Sequence, residues 1–522
     1  MTPGTRIFVN MIASYGRSLF SIGLGLFSLR WVLEALGASD YGLYAVVGSL
    51  IAFVAFFNNI LRISVARYYA YSIGEGSTID NSAAAAADLS RWFNSALSLH
   101  LIVPVILILL GFPLAEYAIR NWINITPERI FACIWVFRIA LLTSFVSMAS
   151  VPFISMYTAR QLIWELSLFG ILSSVLNFAF ARVLCFVSGD RLIVYAIFML
   201  IVNAGIPLVQ IFRAMVKFPE CRMRLSFWGD WGRVRSILSF AGWTTFGYCG
   251  FMVGSQGNIL LTNHFFGTRL NSTYGIAGQL AAHTADLASA LQGAFSPVIT
   301  TKEGSGDRTG TIRMAFRTGR LGAFLLIIFA IPLALELPEV VRLWLGNVPD
   351  YIVPVCFVTL CSSVVNKLTI GHQMAMNASG KIALWQFFEG GILILMMGFA
   401  VVFIFNGVGP VSAALGYFVS SFSSGVCVLV FCRRKLGMGI RLWIRSVLGP
   451  ILAISTIGFG LGWLPHLIME QSLVRVCVTT FVTLCVTIPL GWFWVLIEEE
   501  RFLVRQKFVN GIATEKNRMC GR

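Results

Sequence analysis

The sequence predicts an all-α, polytopic membrane protein of about 14 transmembrane helices, and three observations carry that prediction. Of its 522 residues, 57% are hydrophobic and only 12% are charged, with a mean hydropathy of +0.81; an ordinary soluble domain is about 25% charged. Long apolar runs recur from end to end, bounded by basic or turn-rich segments, and many can cross roughly 30 Å of hydrocarbon as a helix. No series of short alternating segments suggests a barrel, and backbone groups in lipid must be satisfied internally, which leaves a helical bundle.

Hydropathy and punctuation place the spans near 7–31, 41–62, 94–117, 130–154, 163–186, 192–213, 236–262, 272–296, 318–338, 351–374, 381–405, 410–432, 445–464 and 475–497. The segment from Met1 to Arg6 holds one basic residue and leads into the first apolar stretch without a small-residue cleavage site, so that stretch reads as a retained span. An even number of spans puts both termini on one side. Most of the 39 Lys and Arg residues fall in the termini and in the loops on that same side, chiefly Arg213 to Arg235, Lys302 to Arg320, Arg433 to Arg445 and the tail after Arg501. Both termini are therefore expected in the cytoplasm.

Topology also accounts for the net charge of +16. Nucleic-acid binding would need those charges on one folded surface with a reading module, and no such motif accompanies them. The 11 cysteines, Cys133, Cys185, Cys249, Cys427, Cys477 and Cys485 among them, lie mostly within apolar spans and form no CxxC pair. The five histidines are scattered, with no HExxH cluster. Neither a metal site nor a cofactor is called for.

The chain reads as two halves. "GASDYGLYAVVGSL" at Gly37 to Leu50 is weakly similar to "GTRLNSTYGIAGQL" at Gly267 to Leu280, each opening the second helix of a six-helix block. The expected organisation is an N-terminal lobe over residues 1–213, a linker over 214–235, a C-terminal lobe over 236–435, two further helices over 436–500 and a basic tail over 501–522. The linker interleaves Phe218, Phe227, Trp228 and Trp231 with basic residues, a pattern suited to a helix lying in the cytoplasmic headgroup region.

Four segments, "RWVLEALGASDYGLYAVVGSL", "TYGIAGQL", "GAFSPVITTKEG" and "FNGVGPVSAALGYFVS", resemble in order and spacing the multidrug/oligosaccharidyl-lipid/polysaccharide flippase superfamily, especially its polysaccharide-exporter and O-antigen branch. The resemblance covers nearly the whole chain. It implies two six-helix lobes around a central cavity, alternating access, a bacterial cytoplasmic membrane, and outward transfer of an undecaprenyl-pyrophosphate-linked oligosaccharide without covalent chemistry.

Helix periodicity nominates site residues. Asn10, Ser14, Arg17, Ser21, Gly25 and Ser28 recur every three or four positions, a polar face on the first span. Arg17 lies near mid-membrane, where an arginine costs about 2.5–3.5 kcal/mol and usually faces a cavity or a partner. Arg138 has the next claim; Arg30, Arg62 and Arg182 are expected to reach an interface, and Glu165 alone opposes the arginines of this half. Guanidinium groups suit a pyrophosphate because they pair bidentately with phosphate oxygens. In the second half Thr244, Tyr248, Ser255 and Asn258 form a stripe, and Gln279, His283 and Asp286 share a helix face. Tyr248 and Gln279 are cavity candidates; His283 with Asp286 is the candidate for coupling to a proton or sodium ion, against an equal case for an ordinary helix contact. Lys367 and Glu389 are expected to form a structural ion pair.

Two other functions compete. A drug or metabolite antiporter of the same superfamily would need no arginine-rich cavity. A membrane enzyme would place catalytic groups at the surface, yet the longest outer stretches, around Leu114 to Arg129 and Leu337 to Tyr351, hold few acids and no histidine to act as base.

Overall fold

A computed structural model of the chain describes residues 3–78, 82–121, 125–266, 269–345 and 350–498, with Arg501. It is 90% helical, with no strand among the described residues. The helices are α1 (Pro3–Gly76), α2 (Ser82–Asn121), α3 (Pro127–Ala159), α4 (Ile163–Leu184), α5 (Arg191–Lys217), α6 (Trp231–Phe266), α7 (Arg269–Gly304), α8 (Arg308–Leu335), α9 (Leu337–Leu345), α10 (Ile352–Ser379), α11 (Ala383–Ile394), α12 (Met396–Phe405), α13 (Ser412–Leu436), α14 (Ile440–Trp443), α15 (Gly449–Gly462), α16 (Leu464–Ile468) and α17 (Leu473–Trp494). Eleven stretches among the described residues are long and apolar enough to cross a membrane. The remaining predicted spans, 41–62, 236–262 and 272–296, fall on the later part of α1, on α6 and on α7. The protein is thus a multi-pass, all-α membrane protein.

The chain divides into two compact units, one of Thr2–Thr245 with Ser296–Asp307, the other of Phe246–Phe295 with Arg308–Arg522. In the first, α1 turns back on itself at Gly37, whose φ of 74° and ψ of 168° interrupt the helix in a conformation open to glycine. Two cores lie along α3. The first half of α3 contributes Val136 and Phe137, packed with Val32, Ile119, Leu184 and Leu192; the second half contributes Phe153 and Tyr157, packed with Val65, Tyr69, Phe93 and Ile237. Helix α1 continues well past the predicted span end at 62, because Tyr68 stacks on Trp92 at 4.5 Å and Arg67 lies over Tyr68 and Phe240. Hydropathy reports lipid, so this packed extension lay beyond its reach.

The second unit is held by small residues. Gly247, Gly250, Gly254 and Gly257 on α6 leave no room for a Cβ against Gln386, Gly390, Leu393 and Met397. Gly371 on α10 meets the Ala315 carbonyl of α8 in the same way. Close backbone approach is how helices associate where lipid removes the hydrophobic drive. The two C-terminal helices dock on α8 through Gly458, Gly462 and Gly491, and through a buried polar clip. There Arg475 donates to both carboxylate oxygens of Glu336 at 3.0–3.3 Å, and the Thr479 hydroxyl donates at 2.6 Å.

One predicted element takes another form. The 214–235 linker is not a single interfacial helix: α5 runs on to Lys217, two 3-10 turns follow at Pro219–Cys221 and Leu225–Phe227, and α6 begins at Trp231. Phe218 and Cys221 are drawn into the core, and that inward pull at both edges of the first turn breaks up a continuous helix.

Candidate functional site

In the first unit the polar face of α1 lies against α4, and most of it is packing seam. Asn10 is fully buried: its Nδ2 donates to the Gln161 carbonyl at 2.9 Å and its Oδ1 accepts the Trp164 N–H at 3.0 Å. Gln161 has a φ of 58°, so Asn10 clamps a left-handed residue and caps the start of α4. This replaces the cavity role expected for Asn10. Ser14 is also buried, the Ser21 and Ser174 hydroxyls share a hydrogen bond of 2.7 Å, and the Ser28 hydroxyl donates to the Leu24 carbonyl.

Arg17 behaves differently. Its aliphatic stem lies over Gly170, where any Cβ would collide with it, and its side chain remains exposed. No carboxylate among the described residues is within ion-pair distance of it. Another cation, Arg62, lies within electrostatic range of it. The two arginines lie on the two arms of α1 that meet at Gly37, about 30 Å and about 38 Å of helix from it at 1.5 Å per residue. The Arg62 guanidinium donates to Asn59 Oδ1 at 3.0 Å, a neutral partner. Arg62, expected at an interface, is thus the companion that Arg17 acquires.

Arg138 is not brought to this pair. It lies over the Phe112 and Trp135 rings at 5.6 and 5.5 Å and approaches Glu116 at 3.9 Å, on a face that also exposes Phe131 and Leu142. That is a snorkelling arginine at the edge of the Glu116 carboxylate, which Arg120 binds more closely at 2.8 Å. Arg182 likewise stacks on Trp31 and Phe186. Glu165 is buried and bound by Arg213 and Lys217, so the single acid foreseen in this half is neutralised at the helix ends, away from Arg17's needs.

In the second unit the expected Lys367–Glu389 pair does not form. Glu389 on α11 accepts the Ser424 hydroxyl at 3.2 Å, and no cation among the described residues is within ion-pair distance of it. Tyr248 on α6 lies within electrostatic range of Glu389 and is half-exposed. Nearby on α10 and α13, Asn366 donates to Tyr417 Oη at 3.2 Å and to Ser421 Oγ at 3.4 Å. Asn258 is turned away, donating to the Ala413 carbonyl. Gln279 on α7 is exposed. The side chains of His283 and Asp286 lie outside the described residues. Among those described, no cluster of three or more His, Cys, Asp or Glu side chains could hold a metal ion.

Arg62 and Glu389 are the two groups that sequence reasoning assigned elsewhere. The signal for Glu389 was present, a lone acid in "FFEGGILILMM", but Lys367 offered a ready partner in chain order. Nothing in the sequence marks Arg62 beyond its place at a span end.

Ionisable groups within membrane-length helices are functional-site candidates. The fold is similar to that of an outward-facing multidrug resistance MATE family transporter of the MOP superfamily, with a TM-score of 0.71 and 14% identity over 83% of this chain and 96% of that chain. A MATE structure in the bent conformation gives 0.70 and 14%, covering 84% and 96%. A MOP superfamily transporter from Pyrococcus furiosus, described as having a binding pocket of reverse polarity, gives 0.68 and 14%, covering 83% and 96%. No protein-family model matches the chain, and no curated protein does. The chain therefore has the fold seen in MATE transporters.

Proposed function

We infer that the protein is a flippase for a lipid-linked oligosaccharide carrying a pyrophosphate, moving it across a bacterial cytoplasmic membrane for cell-surface polysaccharide synthesis. The observation that carries the reading is the placement of Arg17 and Arg62: two cations on α1 within electrostatic range of each other, with no carboxylate among the described residues at ion-pair distance from either. Such a pair is relieved by an anion, and guanidinium matches phosphate oxygens in geometry and keeps its charge when desolvated. In this reading lobes 1–213 and 236–435 alternate access without covalent chemistry, helices 436–500 are an appendage, and both termini face the cytoplasm. Glu389 is the group best suited to bind a coupling proton or sodium ion; His283 and Asp286 remain a second choice.

The test is glycan export per correctly inserted molecule. Arg17→Ala should lower it roughly 10–100-fold, the equivalent of losing about 1.5–3 kcal/mol of charged hydrogen bonding, and Arg17→Lys should restore only part. Normal export by Arg17→Ala would end the reading. Topology has its own check: cysteines at Ser39 and Asn406 should react with an impermeant reagent from outside and one at Ser305 should not, and the reverse pattern would invert the protein.

A second reading, a cation-coupled drug or metabolite antiporter, is favoured by the likeness to a multidrug resistance transporter. It predicts cationic-drug efflux that survives Arg17→Ala.

A further inference from the structure

The linker between α5 and α6 is unused by the transport reading, and its construction is specific. Asn94, fully buried on α2, grips the backbone: its Nδ2 donates to the Arg222 carbonyl at 3.2 Å and its Oδ1 accepts the Arg224 N–H at 2.7 Å. Phe218 and Cys221 are anchored in the core, with Trp228 packed against it. Met223 and Leu225 between them, and Trp231 just beyond at the start of α6, are turned outward, 51%, 77% and 75% exposed.

Two cations converge on one ring in this segment. Arg91 from α2 lies 5.5 Å from the Phe227 centroid and Arg224 lies 5.8 Å from it. Arg91, Arg222 and Arg224 are all exposed, and no carboxylate among the described residues is within ion-pair distance of any of them. The acids of the neighbourhood are engaged elsewhere: Glu220 by Arg160, and Asp88 and Asp230 by Arg233. Burial opposes ionisation of Asp230, but hydrogen bonds from Arg233 outweigh it and hold its carboxyl below the usual range. Asp230 lies within electrostatic range of Arg91 and is thus an anion already shared with Arg233, not a free counter-charge.

Unpaired guanidiniums beside exposed apolar and indole side chains, at the end of a membrane helix, match an anionic phospholipid in both its parts. We propose that this linker is an anionic-lipid site, in which Arg91 and Arg224 hold the headgroup phosphate beside Phe227 while Met223, Leu225 and Trp231 enter the acyl boundary. A zwitterionic lipid brings its own cation to the same place and is the poorer ligand. Asn94 acts as a positioning residue, setting the loop so that the two arginines meet.

The test uses the full-length protein, delipidated in detergent and titrated with phosphatidylglycerol, phosphatidylcholine or inorganic phosphate, reading the thermal midpoint and the lipid retained in native mass spectra. Phosphatidylglycerol should stabilise the wild type and persist as adducts, phosphatidylcholine and phosphate should not, and R91Q/R224Q should bind it about fivefold more weakly per arginine removed. Retention of phosphatidylglycerol by the double variant at wild-type affinity would overturn the site, as would equal stabilisation by phosphatidylcholine or by phosphate. Should the double variant fail to fold, F227L keeps the apolar bulk and removes the ring that gathers the arginines, and wild-type retention by F227L is equally fatal. Glycan export is not part of the readout, so failure here leaves the flippase reading standing.

Discussion

The two units differ in the charges that stand without an ion-pair partner among the described residues. In the first, Glu165 is taken up by Arg213 and Lys217 and Asp40 by Arg129, while Arg17 and Arg62 have no carboxylate among the described residues at ion-pair distance. In the second, Glu336 is bound by Arg475 at the end of α8, while Glu389 within α11 accepts the Ser424 hydroxyl and has no cation among the described residues at ion-pair distance. Packing differs too. Side-chain hydrogen bonds join α1 to α4, whereas glycines join α6 to α11 and α12 and α8 to α10. The lesson is that a helix seam can be polar and still be structural, and that the informative residue is the one whose charge the seam leaves unmatched.

That contrast can be broken at its strongest point by adding bulk to a glycine in each unit. Gly371→Leu drives a side chain into the Ala315 carbonyl, a backbone atom that cannot step aside, so folded protein measured by fluorescence-detected gel filtration should fall severely. Overpacking ordinarily costs about 1–3 kcal/mol, and more where relaxation is blocked. Gly170→Ala meets only the flexible stem of Arg17, so folding should persist while export drops. Equal yields of the two variants would dissolve the distinction.

A smaller effect sharpens the charge comparison. Glu389→Gln keeps the hydrogen bond from Ser424 and removes the titratable charge, so transport driven by a proton or sodium gradient should lose its dependence on that gradient at unchanged expression. Full gradient dependence in the variant would return attention to His283 and Asp286. The smallest effects lie in the α1–α4 seam. Asn10→Ala leaves the Trp164 N–H and the Gln161 carbonyl unpaired in a buried site and should lower stability by about 1–3 kcal/mol, whereas Ser21→Ala should cost about 0.6 kcal/mol, typical of one interhelical hydrogen bond in a membrane. Chemical-denaturation midpoints of the two variants in the same detergent would rank them, and a reversed order would contradict the clamp assigned to Asn10.

The sequence by itself determined the class and the placement of helices. Apolar runs of membrane-crossing length are a property of composition along the chain, and every predicted span falls on a helix because lipid leaves the backbone no other way to satisfy its hydrogen bonds. Periodicity also determined that Asn10, Ser14, Arg17 and Ser21 share a face, since 3.6 residues per turn is a local rule. What that face meets is not local. Only the tertiary structure decided that Asn10 clamps the start of α4, that Arg138 lies over Phe112 and Trp135, and that Glu389 goes to Ser424 in place of Lys367. It also returned Arg62 to Arg17 through the turn at Gly37. The physical reason is that a charge inside a membrane is defined by its partner, and partners far apart in the chain are chosen by how helices pack, which hydropathy does not encode.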